Sequence, residues 1–408
     1  MSEPIVVTGL GCVSALGLSA DESWIAARDG DSGVHPHDFD TGPNGPGGRI
    51  FQAALVRGDA GAALEQALGR RVAVSLDPFA IFLLKASHEA LGQAGLLGER
   101  LGQRAACVMG NGIGGIATLE RAYERLFGLK SDKVHPLTVP RVMVSAAVSA
   151  VAMEFGITGP VFTTSSACAS AAHAIAQGAA MIAGGLADIA VVGGCEAMAT
   201  PGGMRAWAGL QAMSESACRP FSAGRDGMII GEGAAALVLE RESHAAARGA
   251  TPLARYLGAG MSSDAFHWTQ PSLEGAVSAM RQACEGAGLL AADQVLISTH
   301  GTGTPLNDKN EAAAIRTVFG ERAGDHPVIA TKSAHGHVIG GSPAVQAVLA
   351  LKALEAGLAP PILGYLGPDE DCAGLDLVLG AARPIEARAA VINAFAFGGL
   401  NCTLAFAL

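Results

Sequence analysis

The sequence has 408 residues, of which 50% are hydrophobic and 16% charged, and its formal net charge is −10 at pH 7. This composition excludes a disordered chain and predicts a large core, in two domains or in one large duplicated domain. The negative charge argues against nucleic acid as the main partner. An acidic protein partner would need only a local basic patch, for which the candidates are scattered: Arg70, Arg71, Arg121, Lys130, Lys133, Arg141 and Arg205.

The eight cysteines are widely spaced, and none belongs to a Cys-x-x-Cys pair. This spacing argues against a thiolate zinc site, and we expect no metal and no cofactor. Several cysteines lie in apolar, strand-like segments, which suits buried, reduced thiols in a reducing cytoplasm. The amino terminus shows no signal-peptide pattern, so we expect a cytoplasmic protein.

Strand-like and helical segments alternate along the first part of the chain. The apolar segments 5–8, 107–109, 161–163, 189–192 and 235–239 are typical of strands. Helical patterns lie between them at 78–91, 116–126 and 169–183. This alternation predicts an α/β fold built of packed layers.

A glycine-rich motif follows the second of these strands. Residues 110–115 match the G-x-G-x-x-G pattern of dinucleotide sites. The motif is not in the first strand-turn-helix unit, and a lone match is weak. We therefore favour a loop that lines a pocket or packs backbone against backbone, with an NAD(P)-dependent oxidoreductase as a minor alternative.

The segment 155–187 carries no formal charge and is long enough to span a bilayer. It also contains a proline, several glycines and many hydroxyl and amide side chains. These groups favour a buried strand, a turn and a buried helix, so we expect no membrane span.

Cys168 lies inside this segment, between the strand-like residues 160–164 and the helical residues 169–176. A thiol at the amino end of a helix is expected to have a lowered pKa, which favours the nucleophilic thiolate. A small buried cysteine is the alternative, and the local sequence does not distinguish the two.

The second part of the chain repeats the pattern of the first. Strands are predicted at 253–258, 295–299, 328–331 and 390–394, with a helix at 273–287. A glycine turn leads from His337 into a helix start at 338–345, much as a turn leads from Cys168 into its helix. We therefore predict an internal duplication, with an amino-terminal half at 1–250 and a carboxy-terminal half at 251–408.

Two histidines lie in glycine-rich turns rather than on helix faces. They are His300, in the segment 300–305, and His337, in the segment 332–337. One cysteine with histidines distant in sequence but close in the fold is the arrangement expected of cysteine-nucleophile enzymes. Surface or packing roles are expected for the other histidines: His35, His37, His88, His135, His173, His244, His267, His326 and His335.

Two further segments carry potential site groups. Lys332 is either a surface lysine or, if the fold brings it near Glu311, one partner of an ion pair that tunes the site. The segment 393–401 combines two phenylalanines with adjacent glycines. It is explained by core packing and a turn, or by a backbone N–H aimed at a reacting oxygen, as acyl transfer requires.

Together, the segments 166–168, 300–304, 332–337 and 393–399 resemble the elongating β-ketoacyl-[acyl carrier protein] synthases. The resemblance covers nearly the whole chain and includes 218–221, 225–227, 231–233 and 262–267. It implies a thiolase-like layered fold of two similar halves, usually a homodimer, with acyl carrier protein as the partner.

The resemblance also implies a decarboxylative condensation. Cys168 would take an acyl group from a carrier-protein thioester, and His300 and His337 would hold the malonyl thioester and stabilise the enolate formed as carboxylate is lost. The N–H groups of Cys168 and Phe397 would form the oxyanion hole. Lys332 and Glu311 would support the histidine pair.

The same resemblance assigns the substrate contacts. Thr302 and Thr304 would contact the phosphopantetheine arm, Phe397 would gate the pocket, Ile113 would lie near the acyl tail, and Phe395 would line the substrate site.

The sequence departs from the commonest family pattern at three places. Ala396 stands where glycine is usual, Leu400 replaces a threonine, and the segment 341–343 contains Pro343, which is best tolerated in a first helical turn. These features look closer to nodulation-type and specialised-lipid ketosynthases. The alternative is a non-elongating partner subunit that binds carrier protein, but such subunits commonly lack the nucleophile that Cys168 supplies.

Overall fold

The computed structural model describes residues 3–39 and 49–408. Its strands, in chain order, are β1 Ile5–Val13, β2 His35–Asp38, β3 Ile50–Ala54, β4 Ala105–Gly110, β5 Val161–Thr164, β6 Ile189–Glu196, β7 Ile230–Gly231, β8 Gly233–Arg241, β9 Ala254–Ser263, β10 Leu296–Ser298, β11 Pro327–Ile329, β12 Leu358–Ala359, β13 Asp376–Leu377, β14 Arg383–Pro384, β15 Ala389–Ala396 and β16 Leu400–Ala407. Its α-helices are α1 Ala20–Asp29, α2 Ala60–Leu68, α3 Pro78–Gln93, α4 Ile116–Tyr123, α5 Thr138–Val142, α6 Ala146–Phe155, α7 Ser170–Ala183, α8 Pro201–Gly209, α9 Glu242–Ala247, α10 Leu273–Gly286, α11 Pro305–Phe319, α12 Lys332–His335 and α13 Ser342–Ala356.

The main sheet shows the duplication in its strand order. In the first half, the strands lie in the order β5-β4-β6-β8-β1, and in the second in the order β11-β10-β15-β16-β9. When only these five strands of each half are numbered along the chain, both orders are 3-2-4-5-1, and parallel and antiparallel neighbours occur at the same places. β13 adds an eleventh strand beside β11. β1 and β9 join the halves through antiparallel pairs such as Val7 with Ala254. The prediction of two similar α/β halves is therefore confirmed.

Helices form three layers around the two half-sheets. α3 and α6 cover the outer face of the first half-sheet, α10 and α11 cover that of the second, and α7 and α13 lie between them. Of the 15 residues of α13, 12 are buried. A helix that is apolar all round belongs in such a central position, whereas an outer helix keeps a polar face.

Equivalent turns precede the two central helices. Ala167 has a φ of +49° and lies three residues before Ser170, where α7 begins. Ile339 has a φ of +40° and lies three residues before Ser342, where α13 begins. A left-handed backbone at a residue other than glycine costs roughly 1–2 kcal/mol. This strain occurs at the turn that contains Cys168 and at the turn that follows His337.

Most predicted elements are present, but the ends of two helices differ and one strand was not predicted. The helix start expected at 338–345 begins only at Ser342, after a 3-10 turn, Ile339–Gly341. The helix expected at 116–126 ends at Tyr123 and continues as a π-turn, Glu124–Gly128. The strand β16 was not predicted, because the glycines before it indicated only a turn. The predicted boundary after residue 250 lies in the connection between α9 and β9, and it stays a prediction.

The uncharged segment 155–187 is divided among the end of α6, β5, a turn and α7. Within 3–39 and 49–408, no helix is long and apolar enough to cross a membrane. Pro343 lies in the first turn of α13, where its missing N–H breaks no helical hydrogen bond.

Candidate active site

Close packing between α7 and β4 places Cys168 in the lining of a cavity. A Cβ at Gly110, the last residue of β4, would lie 2.2 Å from the backbone nitrogen of Ala171. Glycine at this position therefore allows the amino end of α7 to approach the sheet. The cavity has a volume of about 550 Å³, and Cys168, His300 and His337 are among its lining residues.

The fold brings the three sequence-distant residues together. His337 Nε2 lies 3.1 Å from Cys168 Sγ. The rings of His300 and His337 are 5.5 Å apart, centroid to centroid, and nearly perpendicular at 85°. All three side chains are buried. The thiol and both imidazoles therefore face one point in the cavity.

The same three residues also have the spacing of a metal ligand set, since their ligand atoms lie within 4.8 Å of one another. The hydrogen bonds of His337 argue against that role. The backbone N–H of Ile339 donates to His337 Nδ1 at 3.2 Å. Because Nδ1 accepts, the proton of a neutral ring is on Nε2, which then has no lone pair for a metal. The ring is arranged as a hydrogen-bond donor toward Cys168.

Burial controls the charges at the site. It raises the pKa of the Cys168 thiol to about 11, although Lys332 and the N–H groups of Phe397 and Cys168 act in the opposite direction. Burial, followed by the charge of Lys332, holds the pKa values of His300 and His337 well below the usual range. The expectation of a lowered cysteine pKa is therefore wrong, because desolvation of the thiolate outweighs the helix terminus.

Glu311 holds the backbone of His300. Its carboxylate accepts from the N–H groups of His300 at 2.7 Å and Gly301 at 2.8 Å, and from Asn393 Nδ2 at 3.0 Å. Burial raises the pKa of Glu311 to about 7. Since both carboxylate oxygens have donors, the turn that carries His300 is fixed to the middle of α11, where Glu311 lies.

Lys332 reaches the same turn from the other side. Its ammonium donates to the carbonyl oxygen of His300 at 2.6 Å and to Gln346 Oε1 at 2.7 Å. Burial lowers the pKa of Lys332 to about 8. Lys332 and Glu311 make no direct ion pair, because backbone and amide groups are the hydrogen-bond partners of both, but the charge of Glu311 still raises the pKa of Lys332 against the effect of burial. Lys332 and Glu311 are instead linked through His300.

Four of the five predicted contact residues line the cavity: Thr302, Thr304, Phe395 and Phe397. The hydroxyl oxygens of Thr302 and Thr304 are 2.9 Å apart. The ring of Phe397 stacks on Trp207 at 6.4 Å. Ile113 does not line this cavity, and 41% of its surface is exposed. The structure thus gathers the threonines and phenylalanines near Cys168 and leaves Ile113 apart.

The glycine motif serves packing rather than phosphate binding. The buried carboxylate of Glu196 accepts from the N–H groups of Gly112 at 2.8 Å, Ile113 at 3.2 Å and Gly340 at 3.2 Å. These N–H groups are therefore already paired, and the dinucleotide alternative is not supported. Glu196 connects the glycine loop to the turn that follows His337.

Sequence reasoning missed Glu196, Gln346 and Trp207. Glu196 is a charged residue at the end of an otherwise apolar strand, and Gln346 is a polar residue inside an otherwise apolar helix. A polar residue in an otherwise buried apolar element needs hydrogen-bond partners, so the sequence could have identified Glu196 and Gln346 as residues with a specific role. The sequence gives no such indication for Trp207, because its stacking on Phe397 depends on the fold.

Comparisons with known proteins agree with this geometry. The sequence profile of the Beta-ketoacyl synthase, N-terminal domain matches residues 2–245, and that of the C-terminal domain matches residues 253–366. The chain is 40% identical to Nodulation protein E of Rhizobium meliloti (strain 1021) over 407 residues, which cover 100% of this chain and 99% of that protein. It is 35% identical to 3-oxoacyl-[acyl-carrier-protein] synthase 2 of Coxiella burnetii over 414 residues, covering 98% and 97%.

Among solved structures, the ishigamide ketosynthase/chain length factor superposes with a TM-score of 0.91 at 30% identity, covering 100% of this chain and 99% of that one. Profile matches, full-length relatives and fold thus agree over both halves. The chain belongs to the β-ketoacyl synthase family of condensing acyltransferases.

Proposed function

We propose that Cys168 carries the acyl group and that His300 and His337 act on the malonyl thioester. The single observation that carries this proposal is the convergence of one thiol and two imidazoles in the lining of one cavity, where the Cys168 sulfur and one nitrogen of each ring lie within 4.8 Å of one another. Burial favours the neutral form of both rings. A neutral imidazole can donate a hydrogen bond to the malonyl thioester. It carries no positive charge, which would bind the malonyl carboxylate and oppose its loss as CO2.

In the first step, the Cys168 sulfur attacks the carbonyl carbon of an acyl-[acyl carrier protein] thioester. The new S–C bond replaces the bond to the phosphopantetheine sulfur, which leaves and takes the proton of the Cys168 thiol. The N–H groups of Cys168 and Phe397, which already act on the sulfur, are placed to stabilise the oxyanion.

In the second step, malonyl-[acyl carrier protein] loses CO2, and the electron pair of the broken C–C bond forms an enolate. His300 and His337 donate hydrogen bonds to the enolate oxygen. The enolate carbon then attacks the acyl carbon, and a C–C bond forms as the bond to Cys168 breaks. The released thiolate takes up a proton, and the product is a 3-oxoacyl thioester one two-carbon unit longer.

The remaining site residues support these steps. Lys332 and Glu311 fix the turn of His300 from opposite sides, and Lys332 also favours the Cys168 thiolate. Thr302 and Thr304 offer hydroxyls to the phosphopantetheine arm along the cavity wall. The bulky ring of Phe397 controls passage toward Cys168. Ile113, which is exposed and lies outside the cavity lining, remains the residue proposed to lie near the acyl tail.

The partners follow from the same reaction. Acyl carrier protein delivers both thioesters, as the name of the Coxiella burnetii relative states for that protein. A second ketosynthase chain, in a homodimer, would cover the free edge of β5 and the exposed apolar side chains near it, Met143 and Val144. All eight cysteines are unpaired, which supports a reducing, cytoplasmic location.

The function is tested in two half-reactions with the full-length protein. Incubation with acyl-[acyl carrier protein] should add one acyl group at Cys168, detected by intact-protein and peptide mass spectrometry. Cys168→Ala should abolish the adduct, whereas Cys284→Ala, at a buried cysteine in α10, should retain it.

The second half-reaction is release of CO2 from malonyl-[acyl carrier protein]. His300→Ala and His337→Ala should still be acylated but should release CO2 at least about a hundredfold more slowly, as expected when a donor to a developing oxyanion is lost. A folded protein without acylation at Cys168, or equal loss of both half-reactions in the histidine variants, would contradict the proposal. Binding of carrier protein without condensation would instead support a partner subunit.

A further inference from the structure

The hydroxyl of Ser342, the first residue of α13, contacts the ring of His337. Ser342 Oγ is 2.8 Å from His337 Nδ1, on the side of the ring opposite Cys168. Both residues are buried, with 0% of Ser342 and 1% of His337 exposed. In the part of the chain that the structure describes, this ring nitrogen is the only hydrogen-bond partner of the hydroxyl.

The backbone decides which atom donates. The N–H of Ile339 also points to His337 Nδ1, at 3.2 Å, and an N–H can only donate. Nδ1 is therefore an acceptor, so the Ser342 hydroxyl donates to it as well. Two donors on Nδ1 oppose a proton there and keep the ring proton on Nε2, which faces the Cys168 sulfur.

The equivalent serine of the first half provides a comparison within the molecule. Ser170 begins α7 as Ser342 begins α13, but its hydroxyl donates to the carbonyl of Ala167 and accepts from the N–H of Ser166. Ser170 thus holds its own turn. Ser342 lacks such turn contacts and is bonded to the histidine ring instead.

We infer that Ser342 is a positioning residue, which acts together with the N–H of Ile339 and holds the orientation and the Nε2–H tautomer of His337 through a second hydrogen bond to Nδ1. This inference rests on the role proposed for His337 as a donor to the enolate oxygen. With Nε2–H held toward the cavity, the donor needs no reorientation when negative charge develops on the substrate.

The test compares Ser342→Ala and Ser342→Thr with the wild type in the full-length protein. A net hydrogen bond of this kind corresponds to about a three- to tenfold change in rate. Ser342→Ala should therefore lower kcat for CO2 release from malonyl-[acyl carrier protein] by about three- to tenfold, with KM unchanged. Ser342→Thr keeps the hydroxyl and should recover most of the rate. Acylation of Cys168 should still go to completion in both variants.

A spectroscopic measurement tests the bond without reference to activity. In protein labelled with 15N at histidine, the His337 Nδ1 resonance is assigned by its loss in His337→Ala. In Ser342→Ala this resonance should move toward the value of an unprotonated nitrogen with fewer donors. The control is Ser87→Ala, which removes a buried hydroxyl of α3 that has no hydrogen-bond partner among the described residues. It should change neither the resonance nor the rate.

The outcomes are distinguishable. An unchanged Nδ1 resonance or an unchanged kcat in Ser342→Ala would overturn the inference, and so would equal losses in both half-reactions, which indicate a packing role. If His337→Ala still releases CO2 at the wild-type rate, the role proposed for His337 fails instead, whatever the resonance shows.

Discussion

At Cys168, burial and local charge act in opposite directions on the thiol. Lys332 and two backbone N–H groups favour the thiolate, yet the buried position raises the thiol pKa to about 11. At neutral pH the thiol is therefore mostly protonated, and its reaction with general electrophiles is expected to be slow because the thiolate is the nucleophile.

The first prediction concerns the pH dependence of this thiol. Below the pKa, the thiolate fraction rises tenfold for each pH unit, so alkylation of Cys168 by iodoacetamide should accelerate about tenfold per unit from roughly pH 6 to pH 9. The rate is measured by peptide mass spectrometry, with N-acetylcysteine as the reference thiol. A plateau that begins below pH 8 would mean that the helix terminus and Lys332 outweigh burial.

At the scale of elements, the two central helices place the reacting groups. α7 and α13 begin after equivalent strained turns, and each turn directs a site residue into the space between the half-sheets. This placement depends on how closely each helix approaches its sheet. Gly110 is the critical contact in the first half, because the backbone of Ala171 occupies the space of a Cβ there.

Gly110→Ala should therefore displace the amino end of α7. Overpacking against backbone costs about 1–3 kcal/mol or more, so the melting temperature should fall by several degrees and acylation of Cys168 should be strongly reduced. Gly286→Ala is the matched control, because a Cβ at the end of α10 meets nothing within 4 Å. Equal melting temperatures and acylation rates for the two variants would show that the packing of α7 on β4 does not position Cys168.

At the scale of the whole molecule, β5 forms one end of the main sheet, and no strand within residues 3–39 and 49–408 pairs with its outer edge. The carbonyl oxygen of Pro160 accepts from Cys107 in β4, and that of Thr164 accepts from Asn111, the residue directly after β4. By the alternation of a parallel strand, the backbone groups of Val161 and Thr163 face away from β4. An unpaired edge beside exposed apolar side chains is suited to pairing with a second chain.

Thr163→Pro should consequently weaken the proposed homodimer. Proline removes the N–H that faces the open edge and leaves the bonds from β4 intact. In sedimentation velocity, the wild type should have twice the chain mass of 41.0 kDa, and the proline variant should shift toward the monomer. Thr163→Ala keeps the N–H and should stay dimeric. A monomeric wild type would show that the homodimer proposal is wrong.

The sequence by itself determined the class of fold and the nature of the reacting groups. Alternating strand and helix patterns identified the two halves, and the turns around Cys168, His300 and His337 were evident because glycine and small residues mark tight turns at any position. The apolar character of residues 155–187 likewise distinguished a buried strand and helix from a membrane span.

Only the tertiary structure decided what surrounds those groups. The raised pKa of Cys168, the attachment of Lys332 to His300 rather than to Glu311, and the bonds of Glu196, Gln346 and Ser342 all depend on residues far apart in the chain. Desolvation and hydrogen-bond pairing are set by three-dimensional neighbours, whereas local sequence gives only the helix terminus and the turn. The sequence therefore predicted that Cys168, His300 and His337 lie close together, and tertiary packing determined the protonation and orientation of their side chains.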